Sequence, residues 1–230
     1  MTFEAALRAT EVMMALALIQ HSAEHLAGPR SGRPLFAVRI ALCALVALGL
    51  WTQWALLGLF IVGLVILHRF QGPYNGGSDR MGLLILTCLL LTHFAPTPIL
   101  RETAFGYLGV QLVLSYFISG QVKIVNPEWR SGRALGDVFR FSAYPVSENM
   151  RQLADRPRLL WIMSWAVMLF EVIFPLLLVQ RELLIGGLML AALFHLSNAC
   201  FFGLNRFFWI WISAYPSILW LQARLLSALL

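Results

Sequence analysis

Leu183-Leu-Ile-Gly-Gly-Leu-Met-Leu-Ala-Ala-Leu193 and Met81-Gly-Leu-Leu-Ile-Leu-Thr-Cys-Leu-Leu-Leu-Thr-His-Phe94 are continuous apolar runs. Neither shows the in-out alternation of a barrel strand, so both read as helices. The whole chain is built in the same way. Of its 230 residues 60% are hydrophobic and 12% charged, and the mean hydropathy is +0.76. A water-soluble fold of this size has too little interior to hide that much apolar surface. In lipid only helices and closed barrels satisfy the backbone polar groups. The expected fold is therefore all-α: a polytopic integral membrane helical bundle. That excludes a soluble enzyme, a disulfide scaffold and a nucleic-acid partner.

Residues 3–26 form a helical stretch with charge on one side, either an interfacial helix or a first span of marginal hydrophobicity. Glu4, Arg8 and Glu11 interrupt it and no small-residue cleavage site follows, so no cleaved signal peptide is expected. Gly28-Pro-Arg-Ser-Gly-Arg-Pro34 then breaks the helix. Residues 1–34 are expected to form an N-terminal element and 35–230 the transmembrane bundle. From Leu35 to Phe70 the apolar run is about twice the ~20 residues of one span, and Trp51-Thr52-Gln53-Trp54 reads as an interfacial turn between two spans. Further spans are expected at 81–94, 104–125, 159–179, 183–202 and 207–221, seven or eight in all. Gln71 to Arg80 reads as a loop. Residues 126–158, with Glu128, Arg130, Arg133, Asp137, Arg140, Glu148, Arg151, Asp155, Arg156 and Arg158, read as one extended extramembrane loop.

Lys123 is the single lysine among 17 basic residues; the rest are arginines lying between apolar runs, where anionic headgroups and topology explain them. Under eight spans Arg8, Arg101, Arg181 and Arg224 fall on one face and the other 13 basic residues on the opposite one. This asymmetry puts loop 126–158 in the cytoplasm and both termini outside. Cys43, Cys88 and Cys200 sit inside apolar segments and read as small buried hydrophobes, with no disulfide or metal site expected.

The chemistry concentrates around Tyr116-Phe-Ile-Ser-Gly-Gln-Val-Lys-Ile-Val-Asn-Pro-Glu-Trp-Arg-Ser-Gly-Arg-Ala-Leu135. At about 100° per residue, Gln111, Ser115, Ser119, Lys123 and Tyr116 share one face of an otherwise apolar helix. Such a stripe should face protein or a wet cavity. A lysine stripped of water there can serve as a general base, and Lys123 is the candidate. The alternative is a lysine snorkelling to the headgroups. Glu171 lies well inside an apolar segment, where a carboxylate is expected to be paired or protonated. His195 and Asn198 on the next helix are its expected partners, in catalysis or in a structural clasp. His21-Ser-Ala-Glu-His25 fits H-x-x-E-H, yet without a third ligand it reads as a headgroup-facing polar turn. Phe207-Phe-Trp-Ile-Trp211 reads as an interfacial aromatic belt.

The run Y-F-x-S-G-x-x-K-x-x-N-x-x-W-x-x-G-x-A-L resembles the HTTM domain, the membrane module of vitamin K-dependent gamma-glutamyl carboxylase and of bacterial relatives. Three more stretches agree: Tyr74-Asn-Gly-Gly-Ser-Asp79, Phe170-Glu-Val-Ile-Phe-Pro-Leu176, and Phe194-His195 with Phe201-Phe-Gly-Leu204. The resemblance covers about residues 74–220. It implies that Lys123, three residues after Gly120, occupies the place of the lysine proposed to deprotonate vitamin K hydroquinone. A histidine that the carboxylase carries falls at Gly77 here, so what carries over is quinone-linked or other lipid-soluble-substrate chemistry. The catalytic candidates are Lys123, Glu171 and His195; the substrate-binding candidates are Tyr116, Ser119, Asn75, Asp79, Asn126, Trp129 and Asn198. A quinone is the cofactor class implied. The competing expectation is a non-catalytic subunit packing against other membrane proteins; a transporter stands third, since paired broken helices are not evident.

Overall fold

The computed structural model describes residues 1–27, 32–69, 76–142 and 148–229. Every regular element among them is helical: α1 (Phe3–Leu26), α2 (Arg33–Leu48), α3 (Thr52–Arg69), α4 (Gly76–Phe94), α5 (Pro98–Val125), α6 (Pro127–Arg130), α7 (Arg133–Phe141), α8 (Glu148–Arg151), α9 (Pro157–Ile173), α10 (Arg181–Phe202), α11 (Asn205–Ile212) and α12 (Tyr215–Leu229). Short 3₁₀ turns at Gln152–Asp155 and Phe174–Val179 precede and extend α9. Among the described residues, four segments are long and apolar enough to cross a bilayer: α3, α5, Pro157–Val179 and α10. At most 33% of each is buried inside the protein, so most of their apolar surface is left for lipid. Along α5, for example, Ile118 and Val122 are 51% and 60% exposed. The chain is an integral membrane protein.

The chain forms two compact units, Met1–Val110 with Arg206–Leu230, and Gln111–Asn205. In the first, α1 packs on α2, α4 and α12. Its Ala6, Met14 and Ala15 are fully buried, so residues 3–26, expected as an interfacial helix or a marginal first span, are a helix packed within this unit. Gly49 at φ 74 ends α2, and Trp51 at φ 45 turns the chain into α3, where the sequence placed the turn. Arg8 donates to the carbonyls of Val46 (2.7 Å), which also accepts from Gly49 N at 3.0 Å, and of Ala47 (2.6 Å), adding side-chain donors at the end of α2. Glu11 accepts from Arg8 at 2.9 Å and lies 2.6 Å from the His93 ring nitrogen of α4. Arg8, which the sequence counted with the arginines that headgroups and topology explain, is used here inside the fold.

In the second unit the segment 126–158, expected as an extended loop, is helical through α6, α7 and α8 over much of its described length. The reason lies in the spacing of its few apolar residues. Leu135, Gly136 and Phe139 fall on one side of α7 and Arg133, Asp137 and Arg140 on the other. Phe139 is buried against Leu160 of α9 and Phe202 of α10, with Leu135, Leu153 and Met163 around them. The charges on the outer side pair locally, Arg133 with Glu128 at 3.2 Å and Arg140 with Asp155 at 3.6 Å.

A candidate acid–base site in the second unit

Lys123 sits in the last turn of α5 and Glu171 deep in α9, and the two meet. Nζ lies 2.6 Å from both carboxylate oxygens and donates to Ser119 Oγ at 2.9 Å, one turn earlier on the same helix. Ser119 Oγ donates in turn to Glu171 at 3.3 Å. The side chains are 16% and 4% exposed, so this is a buried ion pair in direct contact, with a hydroxyl bonded to both partners, and the snorkelling alternative for Lys123 is set aside. Two local features bring the partners together. Gly120 lets the helices approach: a Cβ built there would stand 2.7 Å from Val172 Cγ2, 2.8 Å from Val172 N and 2.9 Å from Glu171 Cβ. Pro175 has no N–H to give the Glu171 carbonyl four residues back, and α9 tightens into a 3₁₀ turn from Phe174 onward.

The N-x-x-W-x-x-G spacing that follows Lys123 acquires a reason residue by residue. Asn126 caps α6, its side chain accepting from Glu128 N at 2.9 Å. This capped turn brings the Trp129 ring to 5.3 Å from Nζ, a cation–π distance. Ser164 of α9 donates to the Trp129 carbonyl (2.5 Å) and Trp165 Nε1 to that of Arg130 (3.1 Å), which fixes α6 against α9. Gly132, at φ 80, then turns the chain so closely that a Cβ would come 2.8 Å from Trp161 N.

One helical turn before Ser119, the Tyr116 ring stacks on Phe174 at 4.2 Å, and its hydroxyl lies 2.8 Å from His195 Nε2 on α10. Both residues are buried. The expected partnership of Glu171 with His195 is therefore replaced: Lys123 and Ser119 take the carboxylate, and His195 meets Tyr116. A lysine forty-eight residues earlier outcompetes a neighbouring histidine because it brings a full charge to the buried carboxylate. Asn198 is half-buried on α10, and its carbonyl accepts from Leu204 N at 3.4 Å where Gly203 ends that helix.

Of the substrate-binding candidates, the structure thus gathers Tyr116, Ser119 and Trp129 about the pair, with Asn126 shaping the turn. Asp79 belongs to the other unit, and Asn75 lies outside the described residues. Burial pushes the Asp79 carboxyl above its usual range, and Arg206 and Arg39 pull it back. His21 is buried and faces His25 (Nε2 to Nε2, 3.3 Å), Arg39 and Arg206, which corrects its reading as a headgroup-facing turn. In the sequence Gly120 served only as a landmark and Phe174 only as part of the Phe170–Leu176 motif, and Ser164 and Trp165 drew no notice. A lone serine in an apolar span was the available signal for Ser164.

Compared with known proteins, residues 102–222 match the family model described as the HTTM domain. The comparison with curated proteins returned no match, and neither did the comparison with solved structures. The matched stretch takes in Tyr116, Lys123, Glu171 and His195 and covers more than half of the 230 residues: the chain belongs to the HTTM-domain family.

Proposed function

We propose that this protein is a membrane enzyme acting on a lipid-soluble substrate with an acidic hydroxyl, of the hydroquinone kind, and that Lys123 and Glu171 form its acid–base pair. The observation that carries the reading is the 2.6 Å contact of Nζ with both oxygens of a carboxylate buried in an apolar span. Moving the shared proton along that contact leaves an amine with a free lone pair, able to accept a substrate's hydroxyl proton. Glu171 holds the displaced proton, Ser119 bonds to both groups, and the Trp129 ring offers a face for an aromatic or cationic group. A quinol fits this set in its chemistry: it supplies the ionisable hydroxyl and an apolar body suited to the bilayer.

The test uses the full chain in lipid nanodiscs with anaerobically reduced naphthohydroquinone. At pH 7 the bound probe should show the absorption of its anion. Lys123→Met and Lys123→Arg should both lose that spectrum, because an arginine does not give up its proton in this range. A wild-type protein that leaves the probe in its neutral form ends the enzyme reading.

A second reading, a non-catalytic subunit clasped by the same residues, is favoured by how completely the three side chains satisfy one another. In that case the pair ties helices together and the arginine-rich segment 126–158 docks a partner. A stoichiometric membrane-protein partner on copurification, with no effect of the probe, would support it.

The resemblance to bacterial relatives supports a bacterial inner membrane, and the basic asymmetry supports segment 126–158 on the cytoplasmic side, with further helices joining the four apolar ones to give seven or eight spans. Asp155 is 78% exposed by its side chain. Asp155→Cys should then react with an impermeant thiol reagent in inverted vesicles and stay unlabelled in intact cells. Labelling in intact cells would reverse the orientation.

A further inference from the structure

Within the first unit, a cavity of ≈ 20 Å³ opens among α1, α2, α3, α4 and α11, large enough for one water-sized group. Its polar lining is His21, Arg39, Ser78, Asp79 and Arg206, and apolar residues such as Ile66 and Leu86 complete it. Arg39 is 6% exposed, and its Nε is buried with no hydrogen-bond partner among the described residues. The His21 ring is approached from two sides by cationic donors, Arg39 Nη1 at 3.3 Å from Nδ1 and Arg206 Nη1 at 2.5 Å from Nε2. A neutral imidazole offers one lone pair and a protonated one offers none, so at most one of these guanidinium groups finds an acceptor there.

The acids nearby do not make up the deficit. Glu24 is 4.0 Å from Arg206 and its side chain is 43% exposed. Asp79 feels both arginines but makes no ion pair with either among the described residues. Arg39 is thus a desolvated cation with one N–H lacking an acceptor, and Arg206, its side chain 21% exposed, has among the described residues only Glu24 at 4.0 Å and the ring it shares with Arg39. A water molecule would bring two more donors of its own, whereas an anion brings acceptors only. We infer that this cavity binds a small monovalent anion of halide size between Arg39 and Arg206. The site is independent of the Lys123–Glu171 chemistry and stands or falls separately from it.

The full-length protein in detergent should respond to chloride and bromide. Exchanging gluconate for either, at fixed pH and ionic strength, should raise the thermal midpoint saturably, by about 2–4 °C. Sulfate, too large for the cavity, should leave it unchanged. Arg39→Gln and Arg206→Gln should each flatten the titration. Should either variant fail to fold, chloride NMR on the wild-type protein decides: the line should broaden with protein and narrow again with excess bromide. The inference is overturned if the midpoint ignores halide and the chloride line stays narrow, or if folded arginine variants keep the wild-type response.

Discussion

Glu171→Ala should cost about 3–5 kcal/mol of stability, the range expected when one member of a buried ion pair is deleted and its partner is left uncompensated. Lys123 would keep Ser119 as its neighbour, but a hydroxyl does not neutralise an ammonium held at 16% exposure. The double variant Glu171→Leu with Lys123→Met should recover most of that loss, because apolar side chains of similar volume replace buried pairs at little cost. Thermal unfolding of the singles and the double in one detergent gives the coupling directly. A single-variant loss below about 1 kcal/mol would mean that water screens the pair as it does on a surface. Lys123→Arg separates fold from chemistry: the ion pair and most of the stability should survive while proton acceptance is lost. Activity retained in that variant would reduce Lys123 to an anchor.

The second large effect concerns glycine. Gly132→Ala should cost about 3–5 kcal/mol, from forcing a side chain into the φ 80 conformation and from pushing a methyl to 2.8 Å from the Trp161 backbone nitrogen. The atoms it would meet, in Trp161 and Leu160, are backbone and cannot swing aside. Gly120→Ala should be nearly as severe, since its methyl meets the Val172 backbone at 2.8 Å and Glu171 Cβ at 2.9 Å. It would move the carboxylate that Lys123 holds, so proton chemistry should fall even in the fraction that folds. Gly186 provides the contrast. Nothing lies within 4 Å of its built Cβ, and Gly186→Ala should be neutral or stabilising by up to about 1 kcal/mol through helix propensity. Equal midpoint changes for Gly120→Ala and Gly186→Ala would remove the argument that helix approach at Gly120 builds the site.

The site residues were legible in the sequence to the extent that their type is unusual for their surroundings. A lysine, a glutamate and a histidine in apolar runs stand out because lipid penalises each of them. Their pairing was not legible in the same way. Its place on the next helix favoured His195 as the partner of Glu171, yet Lys123 reaches Glu171 across 48 positions of chain. Arg39 shows the same limit from the opposite side. By sequence it is one more arginine counted for topology; in the folded unit it is 6% exposed beside His21 and Arg206.

By itself the sequence determined that this chain is helical and lives in a membrane, where its main apolar runs lie, and that a turn near Trp51 separates two of them, which it set at residues 51–54 and the structure at 49–51. These properties follow from composition and local periodicity, which act over a few residues and hold for any arrangement of the helices. Only the tertiary structure decided that α6 and α7 form and pack on α9, that Arg8 meets the end of α2, and that Lys123 closes on Glu171 with the Trp129 ring 5.3 Å from its Nζ. Each of those depends on which helix faces meet, and that is set by close approach at positions such as Gly120 and Gly132. Packing between residues far apart in the chain leaves no periodic trace in a single sequence.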